Sequence, residues 1–238
     1  MDFVADLEAA LSIDGLEETR ETTAAAASAL IRQTGVDLET VSHMIHLAGD
    51  EYEAEWEDKR DSVLAISCLL QVCGELTSAS AHLLSGPVHY AGAALLRQVV
   101  EVEYLAWSFD NGTRDATRWL RSSKKDRLKF FTPARLREQS DGRFNTKDYG
   151  DHCERGGHPV PRSLDLLDGR SPHLAQLFLV DLLTHSWRAW DSVTAWGQNA
   201  DPAVKQLLLT SADPIGKCYT AWVDQDPVYA LMCREHPN

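Results

Sequence analysis

Residues 148–159 concentrate side chains that can exchange protons and hold an anion. They read Asp-Tyr-Gly-Asp-His-Cys-Glu-Arg-Gly-Gly-His-Pro. Imidazole takes and gives protons near neutral pH, and guanidinium stabilises the charge that develops on a phosphate while its ester bond breaks. The two glycines allow a sharp turn and the proline keeps the residue before it extended, so we expect Arg155 and His158 to lie side by side. The segment predicts metal-free phosphodiester chemistry with His158 as acid and base. The alternative is a helix end at which His158 only bonds a carbonyl.

A short helix is predicted to carry part of this segment. Thr146 can cap the helix, and Gly156 would end it. Asp148, His152 and Arg155 are four and then three residues apart, so they share one face of an α-helix. The catalytic candidates are therefore His158, Arg155 and His152, and the supporting candidates on this helix are Asp148 and Tyr149.

A second polar group follows one line of a strongly apolar segment, residues 87–111. Arg97 and Glu101 are four residues apart on the predicted helix, and Tyr104 extends the same line. Because most of the remaining helix surface is apolar, a buried Arg97 needs a partner, and Glu101 is the nearest candidate. These three residues are predicted to support the histidine segment. The alternative is a structural ion pair that sets the helix register.

Two histidines and an aspartate outline a metal site nearer the N-terminus. His43, His46 and Asp50 are spaced to share one helical face, and such donors bind zinc or iron. No further donor completes the set, and the glutamates that follow are typical of a solvated acidic surface. We therefore expect no metal and no cofactor, and keep a metal-dependent hydrolase as the weakest hypothesis.

The elements that position these residues are predicted to be helices. Strand patterns are missing, whereas pairs that place a proline at a helix start recur. They are Gly86-Pro87, Ser171-Pro172, Asp201-Pro202, Asp213-Pro214 and Asp226-Pro227. Hydrophobic residues make up 44% of the 238 residues, enough for a buried core. We expect one all-α domain over residues 1–238, an up-and-down helical bundle with additional short C-terminal helices. Its parts are acidic N-terminal helices (1–61), a central segment (62–162) and C-terminal helices (163–238).

The charge of the chain is unevenly distributed. The formal net charge is −13, residues 1–61 carry sixteen acidic against four basic residues, and residues 114–147 carry eleven basic against four acidic ones. The basic segment, residues 114–147, predicts a surface for phosphate or RNA. The phosphate-binding candidates are Arg121, Lys124, Lys125 and Arg127. The alternative is that the basic segment pairs with the acidic region of the same chain or of a second subunit.

The N-terminus and the cysteines indicate a cytoplasmic protein. The first residues lack a basic stretch followed by a long apolar run, so no secretory signal is predicted. Polar residues interrupt the apolar segment 62–85, which argues against a membrane span. The five cysteines are odd in number and form no Cys-x-x-Cys pair, so neither a disulfide framework nor a zinc ribbon is indicated.

Two motifs together resemble a known superfamily. Leu-Arg-Gln-Val-Val-Glu at 96–101 and the Tyr…His-Cys-Glu-Arg-Gly-Gly-His-Pro segment at 149–159 are similar to bacterial helical proteins with an Arg-x-x-x-Glu helix and a Tyr…His-Pro segment. Those proteins resemble the HEPN superfamily (higher eukaryotes and prokaryotes nucleotide-binding), and the likeness covers residues 62–162. It implies an all-α bundle that dimerises and, in many members, a metal-independent ribonuclease of toxin–antitoxin, abortive-infection or CRISPR-associated systems. In those members an Arg and a His from each subunit meet at the dimer interface. The family motif spaces Arg and His more widely than Arg155 and His158 are here, which also fits a non-catalytic relative.

Three functional hypotheses follow. The first is a HEPN-like bacterial protein that binds or cleaves RNA in phage defence or toxin–antitoxin control. The resemblance implies that this protein is a homodimer. The second is a non-enzymatic module that dimerises or binds a partner protein through its charged surfaces. The third is the metal-dependent hydrolase at the N-terminal histidines.

Overall fold

Helices make up most of the chain in the computed structural model, which describes residues 3–48, 54–167 and 170–235. Within those ranges there is no β-strand, which confirms the predicted all-α class. The α-helices are α1 (Phe3–Leu11), α2 (Leu16–Ala48), α3 (Ala54–Ser85), α4 (His89–Asp110), α5 (Ala116–Leu120), α6 (Lys124–Phe130), α7 (Pro133–Glu138), α8 (Thr146–His152), α9 (Pro172–Gly197), α10 (Pro202–Val223) and α11 (Pro227–Glu235). A π-helical turn (Cys153–Gly157) and a 3-10 helix (Pro161–Leu166) lie between α8 and α9.

The long helices pack into a bundle. α2 packs along α3, α4 packs on α3 and α9, and α10 lies against α2 and α9. Buried apolar side chains from Ala10 to Val228 belong to one hydrophobic cluster, in which Trp190 and Trp222 are the largest. The short helices lie mainly between α4 and α9, and of the C-terminal helices α11 is the short one. The histidine segment thus follows α4 and precedes α9 in the chain, and its π-helical turn packs on α4.

Proline positions predict most of the C-terminal helix starts. Pro172, Pro202 and Pro227 each stand at the first position of a helix, where a missing N–H removes no hydrogen bond. Pro214 lies inside α10, so the predicted helix start at Asp213-Pro214 is wrong. Buried apolar side chains on both sides of Pro214 hold α10 against the bundle and offset the hydrogen bond that the proline removes.

The central helix α4 supplies the polar line predicted from residues 87–111. It begins at His89, two residues after the predicted start at Pro87, and ends at Asp110. Gly112 follows in the left-handed conformation (φ +70°), which reverses the chain toward α5. The buried face of α4 meets α3 and α9, so polar groups on that face are enclosed by the core.

A buried ion pair joins the two ends of the chain. Arg20 on α2 donates to both carboxylate oxygens of Asp226, at 2.7 and 2.9 Å, and to Gln176 on α9 at 2.6 Å. The indole nitrogen of Trp222 donates to the same carboxylate at 2.7 Å. Burial raises the pKa of Asp226, but the hydrogen bonds and charge of Arg20 outweigh burial and lower it. The pair therefore fixes α2 against the C-terminal helices.

Among the residues that the structure describes, one helix, over Glu55–Ser85, is long and apolar enough by composition to cross a membrane. Half of its most apolar stretch is buried inside the protein, and core helices of soluble proteins meet the same criterion. The polar residues that interrupt segment 62–85 therefore do not prevent α3 from being strongly apolar overall. In the fold, α3 packs against α2 and α4.

Candidate functional site

The predicted helix of the histidine segment is α8, and its cap is Asn145. The Asn145 side chain accepts a hydrogen bond from the Lys147 amide at 2.8 Å, and Thr146 is the first helical residue rather than the predicted cap. Asn145 has the extended backbone of a cap residue, so its side chain reaches an amide of the first turn. The side chain of Asp148 lies outside the described residues.

The helix widens after His152. Cys153–Gly157 form a π-helical turn, in which the amide of His158 donates to the Cys153 carbonyl at 3.1 Å. The wider turn ends the α-helical spacing that predicted one shared face for this segment. His152 is buried, Arg155 is half-buried and His158 is exposed in an extended conformation, as the following proline predicts. The structure therefore places His152 in different surroundings from His158.

The structure brings together three of the supporting candidates, Arg97, Glu101 and Tyr149. Arg97 Nη2 lies 2.6 Å from Glu101 Oε1 and donates to the Tyr149 hydroxyl at 2.8 Å. That hydroxyl donates in turn to Glu101 Oε1 at 2.8 Å. Burial and the Glu101 carboxylate raise the pKa of Tyr149 to about 12, although Arg97 acts in the opposite direction. Tyr149 therefore keeps its proton at neutral pH and serves as a donor that closes the three-residue cluster.

Aromatic and cationic neighbours enclose the Tyr149 ring. Arg137 of α7 lies over the ring at 4.2 Å from its centroid, and Arg97 lies at 5.5 Å. Tyr104 is buried, with its ring centroid 5.9 Å from that of Tyr149 and 4.0 Å from that of Phe144. Tyr104 thus packs α4 against the chain that leads into α8. Arg137, which no sequence motif singled out, adds a second cation to the cluster.

His152 faces a second polar cluster that is buried between α4, α8 and α9. Its Nε2 lies 3.4 Å from Asp181 Oδ2, and Nε2 of His185 lies 3.3 Å from Asp181 Oδ1. Glu103 Oε2 lies 2.5 Å from Nδ1 of His185. The two imidazole rings meet edge to face, with centroids 5.3 Å apart. One carboxylate thus bridges two imidazoles, and a second carboxylate holds His185 from the opposite side of its ring.

In this cluster, neighbouring opposite charges shift the pKa values of His185 and Asp181 more than burial does. Burial lowers the pKa of His185, but Asp181 and Glu103 together raise it well above the ordinary value. Burial raises the pKa of Asp181, but the imidazoles of His185 and His152 lower it below the ordinary value. The cluster therefore combines an ionised carboxylate with strongly held positive charge next to it.

Sequence reasoning missed Asp181, His185 and Glu103. The available signal was the four-residue spacing of Asp181 and His185 within the apolar stripe of α9, since polar side chains buried in a core need partners. Glu103 lies 82 residues before His185, and no spacing in the sequence connects the two. Only the packing of α4 on α9 brings them together.

The predicted phosphate-binding arginines are engaged within the chain. Arg121 donates to Asp61 at 2.6 Å and to Asp58 at 2.7 Å, so it joins the basic segment to the acidic N-terminal region. Arg127 donates to the carbonyl of Ser122 next to α6. The charge complementarity considered from sequence is therefore present at Arg121.

The exposed cations of α5 and α6 form a surface that we call the basic face, made of Arg118, Lys124, Lys125 and Lys129. Among the described residues, no carboxylate oxygen lies within 4.0 Å of their charged groups. The Arg118 guanidinium and the Lys129 ammonium lie 4.1 and 4.8 Å from the centroid of the partly exposed Phe130 ring. Lys125 and Lys129 are one turn apart on the same side of α6. Two cations thus flank an aromatic ring, and two more lie on the same short helix.

The predicted N-terminal metal site falls largely outside the described structure. Asp50 and the side chain of His46 are not among the described residues, and His43 is exposed on α2. The described residues that bring three metal-ligating side chains together are instead His152, Asp181 and His185.

The fold and these clusters define the chain as an all-α helical bundle with a half-buried Arg–Glu–Tyr cluster, a buried histidine–carboxylate cluster and an exposed basic face. No protein-family model matches the chain, and no curated protein or solved structure is significantly similar to it. Its function is therefore inferred from the chemistry of these three groups of residues.

Proposed function

We propose that the chain binds RNA on its basic face and cleaves it at Arg155 and His158 without a metal ion. The observation that carries this proposal is the basic face, where exposed cations surround the partly exposed ring of Phe130. Proteins hold single-stranded nucleic acid with cations that contact phosphates and aromatic rings on which bases stack. Both components are present on α6 and the adjoining α5.

The negative charge of the rest of the chain favours RNA binding at this one surface. The formal net charge of −13 repels a polyanion from most of the molecule. The cations of the basic face make no ion pair with described carboxylates, so contact with phosphates costs no existing pair there. RNA binding is therefore expected to be local and strongly dependent on salt.

A chain of contacts leads from the basic segment to the proposed cleavage residues. Arg137 lies over the Tyr149 ring, and the Tyr149 hydroxyl accepts a hydrogen bond from Arg97. The Arg97 side chain packs against Gly157, where an added Cβ would lie 2.8 Å from Arg97 Cδ. Gly157 directly precedes His158, so the half-buried cluster positions the turn that carries the proposed base.

The proposed cleavage uses the 2′-hydroxyl of the RNA as nucleophile. The exposed imidazole of His158 takes the proton of the 2′-hydroxyl, and the 2′-oxygen forms a bond to phosphorus while the bond to the 5′-oxygen breaks. The 5′-oxygen leaves with a proton from an imidazolium, and Arg155 stabilises the charged phosphorane. In a homodimer the second copy supplies a second histidine for the opposite proton transfer. The products are a 2′,3′-cyclic phosphate and a 5′-hydroxyl.

An RNA cleavage assay tests this proposal directly. The full chain is incubated in EDTA with end-labelled single-stranded RNA, beside His158→Ala and Arg155→Ala, with circular dichroism as a check that each protein is folded. His173→Ala is the matched control, because His173 is an exposed histidine that belongs to α9 and not to the turn. We expect cyclic phosphate products from the parent and the control, and loss of cleavage in both variants. Undiminished cleavage by His158→Ala would remove this residue from the reaction.

Light scattering provides the test of the second candidate function, a protein-interaction module. Arg121 already bridges the basic segment to Asp58 and Asp61, so this chain builds stable contacts between its two charged regions. A second copy or a charged partner protein can use the same complementarity. A salt-sensitive dimer that neither binds nor cleaves RNA would favour this candidate over the ribonuclease.

A further inference from the structure

We propose that His152, Asp181 and His185 bind a divalent transition-metal ion of the zinc class. Two imidazole nitrogens and a carboxylate are a donor set that zinc and ferrous ions take in proteins. The three donor atoms all lie within 4.8 Å of one another, so a single ion placed between them reaches all three. This site is separate from Arg155 and His158 and does not depend on RNA binding.

The distances between donor atoms match those of a shared ion better than those of direct hydrogen bonds. Asp181 Oδ2 lies 3.4 Å from His152 Nε2, and Asp181 Oδ1 lies 3.3 Å from His185 Nε2. Hydrogen bonds to a carboxylate are typically about 2.7–2.9 Å long. Two ligands bound at about 2.0–2.1 Å to one tetrahedral ion lie roughly 3.3 Å apart. Each imidazole nitrogen thus lies about as far from an oxygen of Asp181 as two ligands of one zinc ion lie from each other.

Glu103 supplies the outer contact that metal-binding histidines have. Its carboxylate lies 2.5 Å from Nδ1 of His185, on the far side of the ring from Asp181. A metal-ligating histidine almost always gives its other ring N–H to a carboxylate, a carbonyl or water, which fixes the tautomer and aims the free nitrogen at the ion. Glu103 therefore fixes His185 so that Nε2 points at Asp181 and His152.

The surroundings suit a bound ion with an open coordination position. His152 and His185 are 6% and 3% exposed, so the imidazoles are held in the core, whereas the Asp181 side chain is 20% exposed. The partly exposed carboxylate gives an ion a route from solvent. Three protein ligands leave one position for water, the arrangement found in catalytic rather than structural zinc sites.

Metal titration of the full chain tests the site. Protein stripped with a chelator is titrated with Zn²⁺ by calorimetry and with Co²⁺ by visible absorption, which reports tetrahedral coordination. Variants Asp181→Asn and His185→Ala remove ligands, and His173→Ala is the control because it removes an exposed histidine of the same helix. We expect one ion per chain in the parent and the control, and at least a 100-fold weaker binding in both ligand variants. The Co²⁺ spectrum should lack thiolate charge-transfer bands, which would reveal binding at cysteines instead.

The variant Glu103→Gln tests whether Glu103 orients His185 or is itself a ligand of the ion. We expect it to keep one ion per chain and to weaken binding by about 10–100-fold. Asp181→Asn keeps the shape of the side chain, so it remains informative if His185→Ala fails to fold. A parent chain that takes up no Zn²⁺, or ligand variants that bind it as tightly as the parent, would overturn the site and leave an ordinary histidine–carboxylate cluster.

Discussion

Gly156 lies so close to Ala93 that a Cβ at position 156 would come within 2.5 Å of the Ala93 carbonyl carbon. The π-helical turn therefore rests directly on the backbone of α4. Gly157 makes a similar close approach to the side chain of Arg97. The two glycines thus serve the packing of the turn on α4, beyond the sharp bend that their sequence predicts, and this packing sets the positions of Arg155 and His158.

Gly156→Ala should destabilise the protein, because the new methyl group meets backbone atoms that cannot move aside. Overpacking of this kind costs about 1–3 kcal/mol. Gly150→Ala is the matched control in α8, since a Cβ at position 150 meets nothing within 4 Å. We expect the control to be as stable as the parent or up to about 1 kcal/mol more stable, because alanine favours helix. Urea unfolding measures both, and equal stability of the two variants would contradict the close contact.

Helix starts are predictable from the sequence where a proline occupies the first helical position, whose amide has no partner within the helix, as at Pro172 and Pro202. The Asp213-Pro214 pair starts no helix, because the buried apolar side chains of α10 continue on both sides of Pro214 and outweigh the local signal. Arg97 and Glu101 were found because four-residue spacing places them together on one helix. Partners on different helices, as with Glu103 and His185, have no such spacing, so the buried cluster could not be predicted in full.

Tyr149→Phe should weaken the cluster that joins α4 to α8. The substitution removes the hydroxyl that accepts from Arg97 and donates to Glu101, and it leaves the ring in place. We expect a loss of about 0.5–1.5 kcal/mol in the free energy of unfolding. Tyr90→Phe is the control on α4, since the described residues give the Tyr90 hydroxyl no hydrogen bond, and its effect should stay within about 0.5 kcal/mol. A loss in the control as large as in Tyr149→Phe would argue against a role of the three-residue cluster.

The Arg20–Asp226 pair should make stability depend on acid pH. The pKa of Asp226 is lowered in the folded protein, so its contribution is present above the ordinary carboxyl range and is lost as pH falls through the lowered pKa. At pH 7 Asp226→Asn should cost about 3–5 kcal/mol, because it leaves the guanidinium of Arg20 buried without its counter-charge. Below the ordinary carboxyl pKa the unfolded parent takes up a proton at Asp226 while the folded parent stays ionised, which favours unfolding, so the difference between parent and variant should shrink. Urea unfolding at several pH values measures it, and a constant difference down to about pH 2, below the ordinary carboxyl pKa, would show that Asp226 does not titrate in this way.

Replacing lysines of the basic face should make RNA binding weaker and less dependent on salt. Lys124→Gln combined with Lys125→Gln removes two exposed cations that make no described ion pair. Each phosphate that these lysines no longer neutralise should reduce the slope of log affinity against log salt by about 0.7 for a single strand. Lys217→Gln is the control on α10, because Lys217 is exposed but pairs with Asp213 at 2.6 Å. Fluorescence anisotropy at several salt concentrations should show weaker, less salt-dependent binding in the double variant alone. An unchanged slope would place RNA binding elsewhere, because release of counterions follows the cations that touch phosphate.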